Sequence, residues 1–260
     1  MVSSTRPTAD SPPVAPARIR YPDSDGKPMG ETESHICAIT YLFLALRRFL
    51  RHHEHVYVAA DMLLYYEEGN PQAVRAPDVF VVRGVRRHKR RKYLLWEEGV
   101  APCVIIEVTS ASTRLEDLGT KRALYEMLGV TEYFLFDPLG EYLKPRLQGF
   151  RLKGGSYEPM SANTDGTLDS IELGLALRPQ ADLLRVVDPA TGEVVRTLDE
   201  AEDQVEAETA RVLAEAERAR NEERRARNEE RRADAAEAEN ARLRAELERL
   251  RDERGQSDDS

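Results

Sequence analysis

Short runs of β-branched and aromatic residues alternate with polar turns over the first two thirds of the chain, and a charged stretch with apolar positions seven apart fills the last quarter. From Glu31 to Arg51 the apolar residues Ile36, Ile39, Tyr41, Leu42, Leu44, Leu46, Phe49 and Leu50 recur on one broad stripe, which predicts a first helix with Glu31, Glu33 and His35 near its first turn. Val56 to Tyr66 reads as a strand closed by the turn Glu67 to Pro71. Strands follow at Asp78 to Val82 and Val104 to Val108, and Thr109 to Thr113 is a polar breaker. Ser112 or Thr113 is a candidate N-cap for a helix of about Glu116 to Leu128 that stops at Gly129. A strand at Tyr133 to Phe136 ends at Asp137-Pro138, and a hairpin turns at Gly154-Gly155. The pattern predicts an α/β core with a mixed sheet and few helices.

After Asp199 the grammar changes: Gly and Pro disappear until Gly255, and Ala, Glu and Arg dominate. Val205, Val212, Ala219, Ala226, Ala233, Asn240 and Leu247 fall seven apart, with Ala236, Leu243 and Leu250 supplying a second seam position near the end. Glu222 and Glu229 sit where a seam wants leucine, so the last two heptads carry the best coiled-coil signal, and a seam Asn among leucines favours a parallel pair. A single solvated helix is the competing reading. The expected partition is a disordered leader over residues 1–18, a folded domain over 19–190, a coiled-coil helix over 200–254 and a disordered tail over 255–260.

The net charge of −9 is unevenly placed. Residues 200–260 hold 20 acids and 13 arginines, leaving 27 acids against 25 Lys and Arg before them, so the acidic balance says little about the partners of the folded part. Cys37 and Cys103 both lie in apolar runs and read as two buried thiols in a reducing, cytoplasmic setting. No apolar stretch is long enough to span a membrane, and the Pro- and Ser-rich start lacks the apolar core of a signal peptide.

Two strands each carry an acid where a core wants an apolar residue: Asp78 opens one and Glu107 closes on the end of the next. A buried carboxylate is costly unless a cation meets it. Two such acids at a sheet edge, with Lys121 on the following helix, could hold a hard divalent ion and activate water. Between the two strands, residues 83–92 hold seven Lys and Arg in ten positions. Arg86, Arg87, Lys89, Arg90, Arg91 and Lys92 are therefore candidates for contacts to nucleic-acid phosphates, which carry affinity without base specificity.

Pro77-Asp78-Val79, Ile106-Glu107-Val108 with Ser110, Ser112 and Thr113, then Asp117 with Lys121 and Tyr125, and Gly129-Val130 through Glu132, Tyr133 and Asp137-Pro138 form a run of spaced matches. Together they resemble the Uma2 family of the restriction-endonuclease-like, PD-(D/E)XK superfamily, over about Tyr21 to Leu184. The resemblance implies a four-stranded mixed sheet flanked by helices, with Asp78 and Glu107 as metal ligands. The expected ion is Mg²⁺ or Mn²⁺, held by these two acids and the Val108 backbone carbonyl, and Glu31 or Glu33 on the first helix could add a ligand for a second ion. One position departs from the superfamily pattern: Thr109 stands where Glu-x-Lys would place lysine, and the resemblance implies Lys121 in its stead. The expected function is a Mg²⁺-dependent DNA endonuclease, working as a homodimer paired through the tail. The alternative is a catalytically silent DNA-binding or scaffold protein in which Lys121 merely pairs with Asp117 on an exposed helix face.

Overall fold

The structure is a computed structural model that describes residues 19–24 and 32–257, with side chains as far as Arg249. The leader over 1–18 and Glu31 lie outside the described residues. The chain divides into two compact units between Thr197 and Leu198.

In the first unit, α1 (Glu33–Phe49) starts at Thr32, whose hydroxyl accepts from the His35 N–H at 3.3 Å. It buries Ala38, Ile39, Tyr41, Leu42, Ala45 and Leu46. Each of the two leucines, wholly buried, contributes roughly 1.5–3 kcal/mol to folding. Ile36 and Leu44 face outward instead, 54% and 48% exposed, so the core stripe is narrower than the apolar pattern suggests.

Twelve strands follow among the described residues: β1 (Val56–Ala60), β2 (Leu64–Tyr65), β3 (Val74–Arg75), β4 (Val79–Arg83), β5 (Tyr93–Leu94), β6 (Val104–Val108), β7 (Glu132–Phe136), β8 (Leu147–Lys153), β9 (Ser156–Pro159), β10 (Leu168–Ser170), β11 (Leu175–Gln180) and β12 (Leu183–Val187). The central sheet is mixed, in the order β1-β4-β6-β7-β8-β9, and only β6 and β7 run parallel. It has six strands where the resemblance implies four. The connection between β6 and β7 passes through α3 (Arg114–Leu118) and α4 (Thr120–Met127).

Both faces of the sheet are covered, so every residue of β6 and β7 is buried, the acids Glu107 and Glu132 included. Val79, Val81, Ile106, Val108, Phe134 and Phe136 pack towards α1 and the small sheet β10-β11-β12. Phe80, Val82, Ile105, Tyr133 and Leu135 pack on the opposite side with Tyr93, Tyr125 and Leu64. The Tyr41 hydroxyl ties α1 to the small sheet, accepting from the Val186 N–H at 3.0 Å and donating to the Val195 carbonyl at 2.7 Å.

Three local expectations change. The run Val56 to Tyr66 is two strands rather than one, broken where Asp61 adopts φ +46°, a conformation that short polar residues tolerate. The helix expected over Glu116 to Leu128 is split at Gly119, where a Cβ would lie 2.9 Å from the Leu115 carbonyl. Cys37 is exposed rather than buried, because it sits beside Ile36 on the outer face of α1, and Cys103 is half-buried; both are free thiols.

The second unit is α5 (Leu198–Ser257), 60 residues and so about 90 Å long. It runs past Gly255, where the sequence pattern ends it. Its seam residues Val205, Val212, Leu243 and Leu247 are 49–65% exposed. Among the described residues no helix is long and apolar enough to cross a membrane.

Candidate active site

The site is made where β4, β6 and α4 meet. Antiparallel pairing sets Val79 opposite Ile106, which brings the residues at the near ends of the two strands, Asp78 and Glu107, side by side. The two acids interlock through the backbone: Asp78 Oδ2 accepts from the Val108 N–H at 2.6 Å, and Glu107 Oε2 lies 3.4 Å from the Asp78 N–H. Asp78 is partly open, while Glu107 has no solvent exposure.

Glu107 is met from α4. Lys121 Nζ donates to Glu107 Oε2 at 3.0 Å, and the Tyr125 hydroxyl donates to Glu107 Oε1 at 2.8 Å. Lys121 also forms an ion pair with Asp117 Oδ1 at 2.9 Å, across the break at Gly119. Asp117, Lys121 and Tyr125 thus present one face at a spacing of four residues. The Tyr133 hydroxyl, from β7, steadies the break by donating to the Asp117 carbonyl at 2.9 Å. On the other side, α1 places His35 Nε2 3.9 Å from Asp78 Oδ1.

The electrostatics follow from burial. Glu107 is pushed up to about 8, first by desolvation, with Lys121 opposing and Asp78 and Asp117 adding to the rise. Desolvation raises Asp117 as well. Burial alone would lower the Lys121 ammonium, but Glu107 and Asp117 outweigh it and hold the group above its ordinary value. The cluster therefore holds three carboxylates against one ammonium. One ammonium cannot offset all three once they ionise, and a bound cation would favour their ionised forms. Among the described residues no three His, Cys, Asp or Glu side chains converge in a metal-holding arrangement. An ion here would rest on Asp78 and Glu107 and complete its shell with water or backbone oxygen, a donor set suited to Mg²⁺.

Beside the acids lies a cavity of about 190 Å³, lined by Thr32 and His35 at the start of α1, Thr109 to Ser112, and Asp137 to Leu139 with Tyr142. Thr109 Oγ1 is buried at its edge without a hydrogen-bond partner. Asp137 looks like a further candidate acid but is committed elsewhere: its carboxylate accepts from the backbone N–H groups of Leu139, Gly140, Tyr142 and Leu143. Glu132, also buried, is held by Arg151, Ser170 and the Ile171 N–H.

A family model described as "Putative restriction endonuclease", that of Uma2, matches residues 13–184, well over half of the chain. The chain belongs to the Uma2 family. No curated protein matches it. Among solved structures, a protein of Anabaena variabilis described as a "putative nuclease belonging to DUF820" is similar at 13% identity and a TM-score of 0.42, over 58% of this chain and 81% of that one.

The fold thus brings Asp78, Glu107 and Lys121 together; Lys121 does pair with Asp117 as the alternative expects, but on a buried face, at 8% exposure. At Val108 the group seen in contact is the N–H, on Asp78. Tyr125 and Asp117 complete the cluster; their four-residue spacing from Lys121 was the available signal. The basic loop divides. Arg86, Arg87 and Lys89 are exposed, although the Arg87 guanidinium donates to the Arg51 carbonyl at 2.9 Å. Arg90 turns inward, bound by two nitrogens to Glu98 at 2.6 and 2.9 Å and stacked 4.3 Å over the Tyr57 ring. Arg91 pairs with Asp23, and Lys92 donates to the Tyr21 carbonyl.

Proposed function

We propose that this Uma2 protein is a Mg²⁺-dependent DNA endonuclease that hydrolyses phosphodiester bonds at the Asp78–Glu107–Lys121 cluster. The observation that carries the reading is the buried Lys121 ammonium set between Glu107 and Asp117 with Asp78 alongside, a charge surplus at the edge of a sheet that a structural core has no reason to keep.

Asp78 and Glu107 would hold the ion, Mg²⁺ or Mn²⁺. When bound, it supplies Lewis acidity towards a phosphodiester oxygen and lowers the pKa of a water. Tyr125 fixes one oxygen of Glu107 and the Asp78–Val108 bond fixes the other carboxylate, so neither acid needs to reorganise when substrate arrives. Lys121 places a positive charge where the reacting phosphate gains negative charge, and Asp117 keeps that lysine charged and directed. The exposed part of the 83–92 loop draws the DNA backbone towards the site.

The test is nicking of supercoiled plasmid with Mg²⁺ and with chelator, for the native protein and for Asp78→Asn and Glu107→Gln. Metal-dependent nicking that both substitutions abolish supports the reading. Binding to DNA without nicking under every metal condition leaves the catalytically silent alternative.

A further inference from the structure

The charge pattern on α5 points to self-recognition. We propose that two copies of this chain pair through α5 in parallel and in register, with the register encoded by charges that flank the heptad seam.

With the seam at Ala219, Ala226, Ala233, Asn240 and Leu247, the residues just before each seam position are Arg218, Arg225, Arg232, Glu239 and Glu246. In a parallel, in-register pair each of these faces the residue five positions on in the other copy. Those residues are Glu223, Glu230, Glu237, Arg244 and Arg251. All five pairings join opposite charges. The sign reverses once, between Arg232 and Glu239, and that reversal fixes the register. A slip of one heptad sets Arg232 against Arg244 in one direction and Glu239 against Glu237 in the other, and it moves Asn240 off its counterpart. An antiparallel pair separates the two Asn240 residues as well, and like charges or an unmatched buried amide disfavour a pairing.

The apolar side agrees. Leu243 and Leu247, together with Val205 and Val212, stand out from the helix into solvent, with no part of α5 to cover them. The flanking charges Arg232, Glu237, Glu239, Arg244 and Glu246 are exposed along the same length of helix, where a second copy can reach them. Glu222 and Glu229 weaken the upstream seam, which makes the segment from Arg232 the grip and the upstream charges a check on alignment.

The experiment uses full-length chains and sedimentation equilibrium. One variant carries Glu239→Arg and Glu246→Arg, the other Arg244→Glu and Arg251→Glu. Each alone should dimerise at least roughly tenfold more weakly than the native chain, because every substitution acts twice across a twofold pair. Mixed one to one, the two variants should recover a dimer, since each then offers the other opposite charges. A native chain that stays monomeric up to high concentration overturns the proposal, as do variants that dimerise like the native chain or that fail to recover on mixing. Circular dichroism of each variant checks that the helix itself persists. Because mass and mixing are read without DNA or metal, the result is independent of whether the globular unit cuts DNA.

Discussion

Lys121 Nζ stands 3.0 Å from Glu107 Oε2, although the lysine lies fourteen residues downstream on a different element. Thr109, two residues after Glu107, carries no charge to offer this acid, and its own hydroxyl has no partner. The ammonium that reaches Glu107 thus comes from the helix and not from the strand that carries the acid. The helix can supply it because Gly119 lets α3 and α4 bend without a clash against the Leu115 carbonyl, so that Asp117 and Lys121 both turn towards Glu107.

Lys121→Met should abolish nicking while Mg²⁺ still raises the melting temperature, since an ammonium that acts on the reacting phosphate adds little to ion binding. The same variant leaves Glu107 and Asp117 buried without their shared cation. Its metal-free melting temperature should therefore fall, by an amount corresponding to roughly 3 kcal/mol or more near neutral pH. Undiminished nicking by this variant would remove Lys121 from the chemistry.

Stability without metal should fall as pH rises. Glu107 has a folded pKa raised above its unfolded value, so the folded state holds the proton more tightly and the stabilisation is complete below the unfolded pKa. It is lost as pH climbs from the ordinary carboxylate range to about 8. Asp117, also raised, acts with the same sign. Glu98, lowered by its bond to Arg90, acts oppositely and only in the acid range at and below its ordinary pKa. Thermal melts across this window should show a decline in the native protein and a flatter profile in Glu107→Gln; equal slopes would place the titration elsewhere.

Added Mg²⁺ should reverse that decline, because a cation at Asp78 and Glu107 relieves the same surplus charge and displaces the Glu107 proton. The rise in melting temperature should be larger at about pH 8 than at about pH 5, and absent in Glu107→Gln. Asp78→Asn should weaken it as well, while keeping an oxygen for the Val108 N–H. A Mg²⁺ response that survives both substitutions would move the ion to another site.

Much of this architecture was legible because it is local. An acid inside a β-branched run marks itself, and the pairing that sets Asp78 beside Glu107 joins two runs that lie close in sequence. What was hidden depends on long-range packing. The sheet β10-β11-β12 has short strands whose burial against α1 no local period announces. Tyr125 stands in the motif run four residues from Lys121, but the bond of its hydroxyl to Glu107 depends on how α4 packs on β6 and no spacing announces it. The basic run looked uniform because charge count does not report direction, whereas Arg90 finds Glu98 eight residues on, in the short helix α2 (Leu95–Glu98) that had no signal of its own.

That division of the basic loop yields a last prediction. Arg90 has a side chain only 4% exposed, bonded twice to Glu98 and stacked on Tyr57, so Arg90→Ala removes a buried charge partner and an aromatic contact together. It should lower stability by on the order of 3 kcal/mol, read as a shift in the denaturant midpoint. Arg86 and Lys89 are exposed, and replacing either by alanine should leave the midpoint within about 0.5 kcal/mol of native. Their effect belongs to DNA. Removing one cation from a phosphate should reduce the slope of log affinity against log salt by about 0.9 for duplex DNA, equally for unrelated sequences. Measured by fluorescence anisotropy over a salt series, unchanged slopes for both exposed variants would mean that the loop faces away from the nucleic acid. A native midpoint in Arg90→Ala would mean that its pairing with Glu98 contributes nothing to the fold.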